Sequence, residues 1–330
     1  MNVVWFKRDL RLEDNAALQL ACEFPEPLLL VYILEPSLIE NQHTSLRHVQ
    51  FIKESLFNLN TLLKAFNTQI LLVQDEVKPT FQKLHSEYNI KTVFSTQEIG
   101  ISITYERDIE MAQWFEEKNI VWTETQCNGV IRGLKNRKGW SYAWKKYMNA
   151  EECYPNLDDS NLLLIDDVES IQRNFKIIDC KTPKHKFQKG GRNEAIRWAD
   201  SFFQNRIFHY NEGISKPELS RKTCSRLSPY FAWGNLSIRE IYKRAIQLKN
   251  EATDKRPINA FLARLRWQSH FIQKFEMEPR MEFQAVNRVF LELPQPKNER
   301  FIDAWKSGLT GYPLVDASVR ALKRNRVSQF

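Results

Sequence analysis

The chain has 330 residues, 42% of them hydrophobic and 12% aromatic, and a formal net charge of +8. This composition excludes a disordered chain, and the length suits two domains with cores of their own. Residues 1–172 carry 17 Lys+Arg against 25 Asp+Glu, whereas residues 173–330 carry 31 against 15, so the second half is the part suited to a polyanion, with nucleic acid first among the candidates.

Apolar runs at 2–6, 27–34 (PLLLVYIL), 69–74 (QILLVQ), 91–95 (KTVFS) and 120–123 (IVWT) read as strands, the second apolar enough to be buried on both faces. Between the second and third, Leu46, Val49, Ile52, Leu56, Leu59, Leu63 and Phe66 recur at spacings of three and four and make one buried helical stripe. Strand and helix in alternation predict a parallel sheet covered on both faces, with ligands beyond the carboxyl ends of its strands. The first strand–helix turn, Lys7 to Asn15, has no glycine, which excludes a conventional NAD site. Asp14 or Asn15 is placed to cap the helix that follows.

From Cys127 to Asp167 the alternation breaks. Asn128-Gly129-Val130-Ile131-Arg132-Gly133 is turn-rich, 156–167 clusters Asn and Asp, and 181–191 (KTPKHKFQKGG) is basic and polar, the pattern of a connector. Beyond it, 194–203, 237–248 and 258–275 read as helices, and Ser237 with Glu240 forms a capping box. The predicted fold class is an N-terminal parallel-sheet α/β domain followed by a mostly α-helical one, divided as 1–127, a connector at 128–189, and 190–330.

No apolar run approaches the roughly 20 residues that cross a bilayer, so no membrane association is expected. The start, Met1 to Asp9, has no signal-peptide layout. Cys22, Cys127, Cys153, Cys180 and Cys224 are scattered without a CxxC pair, and no HExxH occurs. Reduced thiols, a cytoplasmic location and no metal are expected.

Three blocks carry a resemblance to a known family. WFKRDLRLEDNAAL at 5–18 resembles the WFRRDLRLxDNxAL opening of the DNA photolyase/cryptochrome family. Gly190-Gly191, Tyr210, Cys224-Ser225-Arg226-Leu227-Ser228 and Gly234-Asn235-Leu236-Ser237 resemble the start of its FAD-binding domain, with the pattern GG, a flavin-site Tyr, TSRLS and GxLS. Cys224 stands for the usual Thr and offers a weak S–H donor in place of a hydroxyl. Finally, 308–317 (GLTGYPLVDA) is similar to the family's TGYPxVDA block, and Arg324-Asn325-Arg326-Val327 looks like a downstream NRVR element pulled forward.

The resemblance implies an α/β antenna-type domain and an all-helical FAD-binding domain that is incomplete here, a C-terminal part of the usual chain being absent. Arg8, Asp9, Arg11, Asp14 and Asn15 would be architectural, seating the two domains on each other. Tyr210, Cys224, Ser225, Arg226, Leu227 and Ser228 would contact the adenosine and phosphates of FAD.

Phe261-Leu262-Ala263-Arg264-Leu265-Arg266-Trp267-Gln268-Ser269-His270-Phe271 interleaves basic and aromatic residues on a helix, with 264 and 268 sharing one face and 263, 267 and 270 another. By its own pattern it is either an amphipathic core helix with a solvated basic stripe or a surface meeting both flavin and phosphate. It resembles the family's [WF]LxELxWRxF, which would set Phe261, Trp267 and Gln268 against FAD and Arg264, Arg266, His270 and Lys274 on DNA. Two positions depart: Arg264 stands where the family has a Glu that assists dimer repair, and Gln268 where it has Arg. Arginine does not exchange a proton at neutral pH, so no catalytic residue is assigned.

The implied activity is light-driven, FAD-dependent repair of pyrimidine dimers in DNA, a carbon–carbon lyase reaction in which excited reduced flavin lends an electron to a lesion flipped from the duplex. The rival readings are a cryptochrome-type blue-light photoreceptor without repair activity and a shortened, inactive member. A second, antenna chromophore, folate or deazaflavin, is left open: 97–108 keeps the Arg107-Asp108 pair but shows no Glu at the folate-contacting offset.

Overall fold

The computed structural model describes residues 1–179, 187–214, 216–293 and 297–323. Cys180, most of the 181–191 segment and the Arg324–Val327 element lie outside the described residues.

The first half runs β1 (Asn2–Phe6), α1 (Ala16–Cys22), β2 (Leu28–Ile33), α2 (Pro36–Glu40), α3 (Leu46–Leu63), β3 (Leu71–Val73), α4 (Val77–Tyr88), β4 (Thr92–Thr96), α5 (Ser102–Glu117) and β5 (Val121–Thr125). The strands form one parallel sheet in the order β3-β2-β1-β4-β5, in register Val3↔Leu29 and Val3↔Val93 across the centre. Side-chain alternation divides β1 and β2 between two cores. Val4, Phe6, Leu28, Leu30 and Tyr32 face α1 and α3, while Val3, Trp5, Leu29, Val31 and Ile33 face α4 and α5. Both faces being covered is why these strands read as unbroken apolar runs. Each fully buried aliphatic side chain contributes about 1.5–3 kcal/mol.

Two expectations are corrected here. Leu46, predicted in the buried stripe of α3, is 80% exposed. It occupies the first position of the helix, and the stripe is buried only at Ile52, Leu56, Leu59 and Leu63. The strand predicted over 69–74 is shorter, Leu71–Val73, because its ladder extends only where β2 runs beside it. Of the two cap candidates, Asn15 caps α1, its side chain accepting from the Leu18 N–H at 3.1 Å.

Residues 128–178 are divided between the two cores. Helix α6 (Trp140–Asn149) inserts Trp140, Trp144 and Met148 into the helical core. The chain then returns to the sheet, where Leu28 N–H donates to Asn161 O at 2.8 Å and Leu163 N–H to Leu28 O at 3.0 Å. Helix α7 (Ile165–Gln172) buries Val168 and Ile171 beneath β3.

The helical half comprises α8 (Arg192–Gln204), α9 (Tyr210–Gly213), α10 (Pro217–Thr223), α11 (Ser228–Ala232), α12 (Ile238–Glu251), α13 (Arg256–Met277), α14 (Val289–Glu292), α15 (Glu299–Ser307) and α16 (Pro313–Lys323). The capping box predicted at Ser237–Glu240 starts α12. The TGYP-type block is a helix-start clasp: the Asp316 carboxylate accepts from Thr310 N–H at 2.8 Å, Thr310 Oγ1 at 2.7 Å and Gly311 N–H at 3.1 Å.

The two halves meet along the β1–α1 turn. Leu10 N–H donates to Trp233 O at 3.1 Å, Arg11 Nη1 to Gly234 O at 3.0 Å, and Asn235 Nδ2 to Leu10 O at 3.1 Å. Asp14 is buried and bonded by Arg239 and Ser237. Burial alone raises the Asp14 carboxyl, but those two donors and the Arg11 charge outweigh it and hold the carboxyl below its ordinary value. Gly234 sits at φ +69° with room for no side chain, since a Cβ there would lie 2.2 Å from Arg8 O. At Gly190 a Cβ would lie 2.1 Å from Phe51 O of α3. The glycines of the GG and GxLS blocks are thus points of close approach between the halves.

Candidate functional site

Polar side chains converge at three places. The first is the carboxyl end of the sheet, where the order reverses between β1 and β4 and ligands of such folds collect. A cavity of about 250 Å³ there is lined by Tyr32, Glu35, His43, Glu98, Arg107 and Trp233, among others. It shares Lys7, Arg8 and Glu98 with a second cavity of about 310 Å³ that reaches Gln268 of α13. Arg107 binds three carboxylates: Glu35 at 2.6 Å, Glu98 at 2.8 Å and Asp108 at 2.7 Å. Arg8 adds a contact to Glu98 at 3.1 Å and lies 5.1 Å over the Trp233 ring.

This cluster separates two carboxyls. Burial raises Glu98, but the charges of Arg107, Arg8 and Lys7 outweigh it and bring the group down to about 2. Glu35 has Arg107 as its one close cation, so burial prevails and pushes it up to about 7. Sequence reasoning named Arg107 and Asp108 but missed Glu35 and Glu98. The available signal was position, since each is the second residue beyond the end of a strand, β2 and β4.

The second place holds the expected adenosine and phosphate residues. Tyr210 is 4% exposed and Phe261 2%, and their rings meet edge to face at 5.5 Å beside Phe202. They pack on each other inside the helical core. Burial pushes the Tyr210 hydroxyl up to about 12. The 224–228 turn joins α10 to α11 close by, the Cys224 thiol and the Arg264 guanidinium both acting electrostatically on Tyr210. Arg226 takes a left-handed φ of +60°, and its carbonyl accepts from Gln188 at 2.7 Å. Leu227 N–H donates to Ser225 Oγ at 3.4 Å, and Ser228 is exposed at the start of α11.

Two cations stand at that turn, Arg226 of the turn itself and Arg206 from the segment after α8. The Arg206 and Arg226 guanidiniums stand 5.4 and 5.7 Å from the Trp198 ring. The hydrogen-bond acceptors of Arg206 are neutral: Cys224 O, Trp198 O and Ser201 Oγ. Burial, reinforced by the Arg226 charge, lowers the Arg206 pKa. An anion at this corner would relieve both effects, so the residues present fit a phosphate-bearing group.

The third place is the exposed side of α13. Trp267 and Phe271 are each 54% exposed, with ring centroids 5.9 Å apart. The Arg264 guanidinium lies 5.2 Å over the Trp267 ring. His270 contacts Phe271 edge to face at 5.2 Å. Burial lowers the His270 pKa, and the charges of Arg137, Lys274 and Arg266 lower it further. The structure therefore sets Arg264 against Trp267 and His270 in the field of Arg266 and Lys274, and separates Phe261 from them by turning it inward. Downstream, Phe283, Val289, Leu291, Phe301, Trp305 and Tyr312 are also exposed, an apolar face unlike the covered helices of the first half.

Residues 2–142 match the family model for DNA photolyase, and residues 261–327 match the model for the FAD binding domain of DNA photolyase. Cryptochrome-2 of Gallus gallus is 23% identical over 357 residues, which cover 98% of this chain and 59% of that protein. The deoxyribodipyrimidine photo-lyase of Buchnera aphidicola is 25% identical over 353 residues, covering 97% of this chain and 69% of that protein. The chain thus spans well under two thirds of the cryptochrome it matches. Among solved structures, a bacterial class III photolyase from Agrobacterium tumefaciens superposes with a TM-score of 0.79 at 20% identity, over 99% of this chain and 70% of the other. A cryptochrome from Synechocystis gives 0.79 at 19% identity, over 100% and 72%. An archaeal photolyase from Sulfolobus tokodaii, described with two FAD molecules, gives 0.73 at 21%, over 99% and 72%.

Proposed function

The chain belongs to the DNA photolyase/cryptochrome family, and from that membership we propose that it is an FAD-dependent, light-driven enzyme that repairs pyrimidine dimers in DNA. The observation that carries the reading is the exposed side of α13, where Arg264 lies over Trp267 and Phe271 and His270 flank it. Aromatic faces stack on unpaired bases and cations hold phosphates, so one helix side suits a base drawn out of the duplex.

FAD, when bound, supplies the light absorption and the electron chemistry. The rest is positioning by this chain. Ser225, Arg226, Leu227 and Ser228, backed by Arg206, would hold the diphosphate, while the Cys224 backbone, which accepts from Arg206 and donates to Ser220 O, fixes the turn. Tyr210 and Phe261 support the site from inside the core and fix the height of α13. Trp267 and Arg264 would receive the extruded base. Gln268, one turn on from Arg264, would reach the flavin through the cavity it lines, and Arg266, His270 and Lys274 would hold backbone phosphates. A guanidinium is a fixed cation and no proton donor, so Arg264 would stabilise negative charge beside the lesion.

That same Arg264, standing where the resemblance places an acid, favours a second reading as a cryptochrome-type photoreceptor. The two separate in one experiment. The purified protein, reconstituted with FAD and reduced, is illuminated with blue light in the presence of an oligonucleotide carrying a thymine dimer. Loss of the dimer in the light and not in the dark is expected. Flavin absorbance without dimer loss would leave the photoreceptor reading, and failure to take up flavin would remove both.

A further inference from the structure

The geometry points to a second nucleic-acid contact: the cleft between α6, α12 and α13 seats a sugar–phosphate unit of the DNA backbone, on the flank of α13 turned away from Arg264. This inference rests on the DNA-binding reading above.

The cleft has a volume of about 280 Å³ and draws cations from three separate helices, Lys145 of α6, Lys249 of α12 and Arg266 of α13. No acidic side chain lines it. Among the described residues none of these three cations forms an ion pair. Other cations of α12 do: Arg244 binds Asp200 at 2.8 Å, and Lys243 lies 3.5 Å from Glu152. Holding three unpaired cations around one concavity costs repulsion, which a bound anion removes. Arg266 donates to the Ser141 hydroxyl and so is fixed at the cleft wall. Ser141 lies in the first turn of α6, whose start has no side-chain cap, and the positive end of that helix adds to the same field.

The floor selects among anions. Trp144 and Tyr242 meet edge to face at 5.4 Å beneath the cations. A bare inorganic ion gains nothing from an apolar floor, whereas the carbon face of a deoxyribose does. Arg266 also gives the cleft its place on a strand path, because it is adjacent in sequence to Trp267. A strand stacked at Trp267 crosses α13 and reaches the cleft with its flanking phosphate.

The test is the salt dependence of binding, read by anisotropy of a fluorescein-labelled undamaged duplex over a potassium chloride series. Wild type, Lys145→Gln/Lys249→Gln and Arg264→Gln are compared. One phosphate fewer lowers the slope of log K against log salt by about 0.9. The double variant is expected to lose about that one increment, not two, since both lysines serve a single phosphate. Lys145→Arg/Lys249→Arg is expected to keep the wild-type slope, and a loss there would overturn the inference by showing the lysines to be structural. If wild type binds and Arg264→Gln weakens it while the double Gln variant matches wild type, the cleft is idle and the DNA-binding reading survives. No binding by wild type removes both.

Discussion

Replacing Gly234 by alanine perturbs the seam between the halves at a single atom. The residue sits at φ +69°, and the new Cβ would lie 2.2 Å from Arg8 O and 2.5 Å from Asp9 Cα. A left-handed conformation costs a non-glycine residue about 1–2 kcal/mol. To reach ordinary contact the β1–α1 turn must also retreat by about 1 Å or more. Three hydrogen bonds cross there, Leu10 to Trp233, Arg11 to Gly234 and Asn235 to Leu10, each worth about 0.5–1.5 kcal/mol. The expected cost is about 3–6 kcal/mol. Gly139 provides the control, because its φ is +80° but a Cβ there meets nothing within 4 Å, so Gly139→Ala should cost only the conformational about 1–2 kcal/mol. Urea unfolding followed by tryptophan fluorescence measures both, as midpoint shifts at unchanged slope. A Gly234→Ala shift no larger than that of Gly139→Ala would refute the close-approach argument.

Other expectations follow from the same structure. Asp14→Asn leaves Arg239 buried without its counter-charge, and a loss of about 3–5 kcal/mol is expected in the same urea assay. Because the folded Asp14 carboxyl lies below its ordinary value, its stabilisation is present above about pH 4 and fades as pH falls through the folded value; wild type should therefore lose its advantage over Asp14→Asn in acid. Glu35 runs the other way. Its folded value of about 7 means that its contribution is complete below about pH 4.3 and is lost as pH rises to 7, so Glu35→Gln should flatten a stability profile that otherwise declines over that window. Phe261→Ala should cost about 3–5 kcal/mol through the cavity opened against Tyr210 and Phe202. If instead Phe261→Leu abolishes flavin uptake with its midpoint unchanged, the phenyl ring contacts the cofactor and is not mainly a core residue.

What was legible in the chain was what depends on near neighbours. Short apolar runs placed the five strands of the sheet, because burial on both faces leaves them unbroken, and three-to-four spacing placed α3, because burial of one face writes a period into a contiguous segment. The caps at Asn15 and Ser237 are contacts within three residues. The charged residues of the first block were given an architectural role by the resemblance, and Arg11 and Asp14 do bond across the seam, whereas the close approach at Gly190 and Gly234 came only from the structure. Tertiary structure decided the direction in which each side chain faces and which distant charges meet. Tyr210 and Phe261 carry no sign of being interior, since a phenyl ring is as consistent with a ligand wall as with a core. Leu46 fits its stripe and is exposed at the first position of α3, which periodicity alone does not show. Glu35, Glu98 and Arg107 come from the ends of two strands and from α5, and only closure of the parallel sheet puts them within hydrogen-bond reach. The three-helix cleft has the same origin: Lys145, Lys249 and Arg266 are ordinary surface cations in one dimension, and become one field when packing of the tryptophans of α6 draws their helices together.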